Sequence, residues 1–273
     1  MVLFSAIEFQ YLRPNQAIPM AQLSVAIITN HEEKNIGRCL ESVKDIADEI
    51  VVVDSGSTDR TQDICESFGA RFIPQTFLGF IGQKNFALDA TTHPYVLSLD
   101  ADEALSPELQ KAIKAEKEKG FPQTGYTMNR LSLFCGQWIR HGTWYPDRKL
   151  RLVLKSAAKW GGMNPHDKME LTQGSTEKHL PGDILHLTFY SLEEYVTQGN
   201  KLSSMAAKAM LEEGKRAGYF NLIWNPFMAF VKSYFIRAGL LDGFNGYIIA
   251  RQSASQTYLK YAKLMQLQRK LSQ

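Results

Sequence analysis

Cysteine is scarce in this chain. Cys39, Cys65 and Cys135 are odd in number, far apart and form no CxxC pair. This argues against a disulfide framework or a zinc site and fits a reducing cytoplasm. Long hydrophobic runs are missing as well. No stretch of about 18 apolar residues occurs, so a spanning helix is not expected. The N-terminus has neither the basic start nor the apolar stretch of a signal peptide. Internal repeats and low-complexity segments are also lacking. Residues 1–19 carry little pattern, and 1–21 are expected to be an N-terminal extension, with Met20 as a candidate translation start. A strong overall charge is absent too, since 31 Lys and Arg face 28 Asp and Glu. The balance is uneven, however. Residues 201–273 hold eleven basic residues against three acids, together with eleven aromatics. A basic, aromatic tail on an acidic body suggests an anionic partner.

What is present is strand–helix alternation. "LSVAIIT" (23–29) and "IVVVD" (50–54) are continuous apolar runs, the mark of strands buried on both faces. Ile36, Cys39, Leu40 and Val43 follow helical spacing, as do Thr61, Ile64, Cys65 and Phe68. "ARFIPQ" reads as a third strand, 81–91 as a third helix and "YVLSLD" (95–100) as a fourth strand. Pro107 opens a further helix, to about Glu118. The pattern predicts an α/β fold with a mainly parallel sheet covered by helices on both faces. Beyond 121, "GYTMNRLSLF" and "RKLRLVLK" alternate like antiparallel strands. From about 191 the chain reads as helical, with a break near Trp224–Pro226 and another at "GLLDGFNG". The expected divisions are 22–120, 121–190 and 191–273.

Ligands of such sheets gather at the carboxyl ends of the strands. Three of these ends carry polar clusters: Thr29–Glu33, Asp54–Asp59 and Asp100–Glu103. Asp100 and Asp102, at the end of a strand, suit a hard cation such as Mg²⁺ or Mn²⁺, which takes one or two carboxylates plus phosphate oxygens and water. The strand is expected to end at Asp100, with the turn redirecting Asp102. The competing reading is a solvated acidic turn capping the next helix. Asp54 can accept hydrogen bonds from a uracil imide or a ribose, or can close an Asx-turn in "DSGSTD".

"IITNHEEKNIGRCLESV", "IVVVDSGSTDRTQDI" and "YVLSLDADE", in this order, resemble the nucleotide-sugar half of family 2 glycosyltransferases, with the GT-A fold. "KLRLVLK", "NPHDKMEL", "GDILHLTFYSLEEYVTQGNK" and "AGLLDGFNGYIIA" resemble one subgroup, the glucosyltransferases acting on lipopolysaccharide inner-core heptose. The resemblance implies inverting transfer from a UDP-sugar with a divalent metal cofactor, on an acceptor in lipopolysaccharide core or on another lipid-linked or polysaccharide acceptor. Thr29, Glu32, Asp54, Lys84 and Asp100 are then the donor-binding candidates, and Asp102 the metal ligand. One departure stands out: the family commonly has Asn before the first Glu, where this chain has His31. The base expected to take the acceptor proton is Asp167, with Asp147 and Glu170 as rivals. His166 would orient it or touch the acceptor. His186 lies in an apolar run and is either a core histidine or an additional metal ligand. Trp160 is either a sugar platform or core. Residues 219–270 are expected on the inner face of the inner membrane, or packed on the domain or on a second subunit of a homo-oligomer. Nucleic acid is not an expected partner.

Three rival functions share parts of this pattern. An aspartyl phosphotransferase usually has Thr or Val where Ala104 stands. A nucleotidyltransferase would carry a glycine-rich basic loop where "NHEEKN" is acidic. A binding module without turnover would have no use for a candidate base.

Overall fold

Strand β1 (Leu23–Thr29) is mostly apolar because both of its faces are covered. Leu23, Val25 and Ile27 pack into one core cluster, while Ala26 packs into a second on the other side of the sheet. The computed structural model describes residues 21–163 and 166–271. All of the expected extension except Ala21 therefore lies outside the described residues.

Helix α1 (Ile36–Val43) follows β1, then β2 (Glu49–Asp54), α2 (Thr61–Ser67), β3 (Arg71–Pro74), α3 (Gly79–Ala90) and β4 (Tyr95–Asp100). A two-residue turn leads to β5 (Glu103–Leu105) and then α4 (Pro107–Glu118). Ser106 caps α4 by accepting a hydrogen bond from the Leu109 amide, and Pro107 occupies a first-turn position that needs no donor. The four apolar residues read at helical spacing in α1 are all fully buried. Helices α1, α2 and α4 contribute to the first core cluster, and α3 to the second.

The chain continues through β6 (Gly125–Phe134), β7 (Gln137–Ile139), β8 (Asp147–Leu154), β9 (Ala158–Met163), β10 (His166–Leu171) and β11 (Glu177–Phe189). One nine-stranded sheet runs β3-β2-β1-β4-β8-β6-β11-β5, with β7 at the side of β6 and β9–β10 as a separate hairpin. Strands β3, β2, β1 and β4 are parallel. β8 is antiparallel to both β4 and β6, as its alternation predicts. β11 runs parallel to β6, and β5 antiparallel to β11. This is the mainly parallel sheet with an antiparallel part that the sequence leads one to expect.

Helices α5 (Leu192–Glu212), α6 (Tyr219–Val231) and α7 (Gly243–Leu271) complete the chain. The expected break near Trp224–Pro226 is absent, because α6 continues through Pro226. The interruptions fall instead at Glu213–Gly218 and at 232–242, where a π turn and a 3-10 turn replace the α-helix. Proline deprives the carbonyl four residues earlier of its donor, but contacts along α7 hold α6 in line across that gap.

Candidate active site

The carboxyl ends of β1 and β4 open into a cleft of about 1210 Å³, closed on the far side by β8 and the β9–β10 hairpin. Its walls include Thr29 and Glu32 from the β1 end, Asp100 and Asp102 from the β4 end, Lys84 from α3, Asp167 from β10 and His186 from β11. Long sequence separations thus converge on one space.

Lys84 is the hub. Its Nζ lies 2.8 Å from Asp167 Oδ2 and 3.2 Å from Asp100 Oδ2, so one buried ammonium joins the candidate base to the first aspartate of the pair. Asp100 also takes Arg151 Nη2 at 3.4 Å. Burial pushes the Asp100 carboxyl up, but the cations Lys84 and Arg151 more than reverse this and hold it well below the usual carboxylate range. Asp100 Oδ1 stands 3.1 Å from Lys84 Nζ without accepting a hydrogen bond and is buried.

Glu103 has no exposed surface and turns away from the cleft. Its Oε1 receives Arg151 Nη2 at 3.0 Å and its Oε2 accepts from the Asp100 amide at 3.0 Å. Burial pushes the Arg151 guanidinium pKa down, and Glu103 and Asp100 outweigh that and raise it. Three clustered carboxylates are therefore tolerable because one is neutralised inside the sheet, one faces two cations and one faces the cleft. Sequence reasoning gave neither Glu103 nor Arg151 a role. The available signal was a lone arginine inside the apolar run of β8.

Asp102 lies beyond the strand end, as expected. Its Oδ2 is 3.1 Å from His186 Nε2, while His186 Nδ1 is 3.0 Å from Thr188 Oγ1. His186 thus faces the cleft instead of the core. The Asp102 carbonyl accepts from Arg38 Nη2 at 2.9 Å and from the Leu187 amide at 3.1 Å, which pins the turn from two sides.

The carboxylate and imidazole at Asp102 and His186 fit a divalent cation that accepts O and N donors. Among the described residues no three His, Cys, Asp or Glu side chains cluster closely enough to hold a metal by themselves. A cation here would depend on oxygens of the ligand for the rest of its shell.

Glu32 accepts from Asn35 Nδ2 at 2.7 Å, and burial, with Asp102 and Asp59 adding, raises its pKa. Thr29 Oγ1 is buried on the cleft wall with no hydrogen-bond partner among the described residues. Asp54 is buried beside Ser55 of the cleft wall. Its Oδ2 accepts from the amides of Gly56 and Ser57, both at 2.8 Å, and its Oδ1 from Ser57 Oγ at 2.5 Å. These bonds form the Asx-type loop expected as one of the two readings of "DSGSTD". Gly56, at φ +98°, permits that turn.

Asp167 sits on β10, opposite Gly162 of β9. Residues 164–165 and the His166 side chain lie outside the described residues. Asp147 is paired with Arg130 and Lys149, and Glu170 with Lys168, and neither rival lines the cleft. Trp160 is buried on the cleft wall, with Lys84 Nζ 4.5 Å and Arg151 Cζ 5.3 Å from its ring centre.

The family model "Glycosyl transferase family 2" matches residues 24–169. An uncharacterised glycosyltransferase of Rickettsia typhi is 32% identical over 257 residues, covering 91% of this chain and 88% of that protein. The lipopolysaccharide core biosynthesis glycosyltransferase LpsC of Rhizobium meliloti is 30% identical over 254 residues, covering 91% and 94%. Among solved structures, glucosyl-3-phosphoglycerate synthase of Mycobacterium tuberculosis, with Mn²⁺, UDP and its product, is similar at TM-score 0.36 and 22% identity, covering 45% of this chain and 51% of that one. With the family model spanning more than half of its residues and relatives aligned along nine-tenths of its length, this chain belongs to family 2 of the glycosyltransferases.

Proposed function

We propose that the enzyme transfers glucose from UDP-glucose, with inversion, to a heptose of the lipopolysaccharide inner core. The observation that carries this reading is the convergence of Asp102, His186, Lys84 and Asp167 on one cleft. An in-line displacement at an anomeric carbon needs charge neutralised on the departing diphosphate and a carboxylate to take the acceptor proton. Asp102 and His186 would hold the divalent cation, which when bound offsets the charge growing on the diphosphate. Thr29 and Glu32 line the donor side. Asp100 anchors Lys84 and Arg151, two cations beside the reacting centre. Asp167 faces the same space from the hairpin and, in this reading, accepts the hydroxyl proton while Lys84 fixes its direction. Arg148 and Lys168, exposed at the rim, suit an anionic acceptor. An acceptor in the lipopolysaccharide core is supported by the LpsC relative.

The test is UDP release across a panel of UDP-sugars, with heptose-terminated core and with or without Mn²⁺ or Mg²⁺. Acceptor-dependent release from UDP-glucose, stimulated by metal, is expected. Release from no nucleotide-sugar would overturn the reading. Asp167→Asn should lower turnover by about 10²–10⁴-fold with UDP affinity nearly unchanged. Normal turnover in that variant would place the base elsewhere.

A further inference from the structure

Helix α6 buries none of its side chains below the surface, although it is among the most apolar segments of the chain. Phe220, Ile223, Trp224 and Phe227 form a stripe along its outer side and are 48–72% exposed. The stripe continues through Phe235 and Ile236 in the π turn to Leu241 and Phe244, which are 57–77% exposed. Ten of the twenty large apolar side chains that are exposed among the described residues fall within 219–244. Scattered exposed apolar residues need no explanation, but a contiguous patch does.

This face is held rigidly. The buried Asp242 carboxylate accepts from the amides of Arg140 and His141 at 3.2 and 2.8 Å, and the Gly142 amide donates to the Arg237 carbonyl at 2.8 Å. The apolar surface is thus fixed to the catalytic body through the β7–β8 connection. Helix α5 reaches from the cleft, where it contributes Gln198 and Leu202, to α7, on which α6 packs.

Charge decides what covers it. Residues 219–271 contain seven Lys and Arg and one acid, Asp242, which is buried. Lys232 and Arg237, beside the stripe, are exposed. A second copy set face to face would bring cations together with no exposed carboxylate to neutralise them. Lysine is also depleted at protein interfaces. Anionic headgroups match the cations while acyl chains receive the aromatics. We propose that the α6 face and the turn after it dock on the anionic surface of a lipid bilayer. This deepens, and rests on, the reading of a lipid-linked acceptor, because docking would present the cleft at a constant height and angle to that acceptor.

The test is flotation with phosphatidylcholine vesicles with and without phosphatidylglycerol, at low and high salt, together with quenching of tryptophan fluorescence by brominated lipid. Binding should require phosphatidylglycerol and weaken at high salt. Lys232→Gln and Arg237→Gln should each weaken it by about fivefold. Trp224→Phe should still bind but lose most of the quenching. Phe220→Ser with Phe227→Ser should abolish binding and leave transfer to a soluble, delipidated acceptor unchanged, which also reports a folded protein. Absence of binding at low salt would overturn the proposal. Binding without quenching of Trp224 would do the same, as would a lipid-free dimer that the double variant dissociates. Vesicle binding by a protein that turns over no UDP-sugar would leave the docking standing and defeat the functional reading alone.

Discussion

His31 adopts φ +56°, the left-handed region that costs an ordinary side chain about 1–2 kcal/mol and in which Asn, Asp and His are the enriched non-glycine residues. This accounts for the departure from Asn at this position: either residue suits the backbone. His31 adds a ring nitrogen 3.1 Å from Thr58 Oγ1, while its amide donates to Ser57 Oγ at 2.7 Å, so the β1 and β2 loops are laced together. His31→Asn should leave the denaturation midpoint nearly unchanged, and His31→Val should lower stability by about 1–2 kcal/mol in urea titrations. Arg151 is a stronger case. Arg151→Met strands Glu103 without its main cation in a fully buried position and should destabilise by about 3–5 kcal/mol, whereas adding Glu103→Leu should restore most of the loss. The cysteines differ in the same way. Burial pushes the Cys65 thiol up to about 12 and Cys39 well above its ordinary value, while Cys135 is exposed. One thiol should react with a disulfide reagent in the native protein and three after denaturation.

Among the elements, those whose apolar spacing was regular appear where the spacing puts them. Ile36, Cys39, Leu40 and Val43 commit α1 to one face, so its position follows from four residues. Helix α6 continues through Pro226, where local chemistry opposes a helix, because contacts along α7, invisible in the sequence, support it. Glycines divide along the same line. In α1, a Cβ at Gly37 would meet only Ile64 at 3.6 Å, so Gly37→Ala should stabilise by about 0.5–1 kcal/mol. In α7, a Cβ at Gly246 would fall 1.9 Å from the Gly239 carbonyl oxygen, and Gly246→Ala should cost at least about 1–3 kcal/mol and loosen the 3-10 turn. Thermal melts of the two variants should shift in opposite directions.

For the molecule as a whole, acid is the expected weakness. Burial pushes Asp48, Glu49, Asp100 and Glu116 up, but hydrogen bonds and cations outweigh it and leave all four with lowered pKa values. A lowered folded-state pKa adds stability that is complete above the unfolded value of about 4 and fades as pH falls through the folded one. Melting temperature should therefore be flat near neutrality and drop steeply below about pH 4, with Asp100→Asn showing a shallower drop. Glu32 has the opposite sign, since its raised value costs stability at neutral pH. Glu32→Gln should melt higher than the parent at pH 7, an advantage that vanishes in acid. The sequence alone determined the order of the principal strands and helices and the sheet edge where Asp100 and Asp102 gather, and its resemblance to a family pointed to Lys84 and Asp167. The elements and the aspartate pair follow from local periodicity and from polar groups placed at strand ends, and both are short-range properties. Only the tertiary structure decided that Asp54 serves its own loop, that Glu103 is neutralised by Arg151, that His186 meets Asp102, and that α6 keeps its aromatics outside. Each of these depends on which distant segment arrives alongside, and sequence spacing carries no record of that.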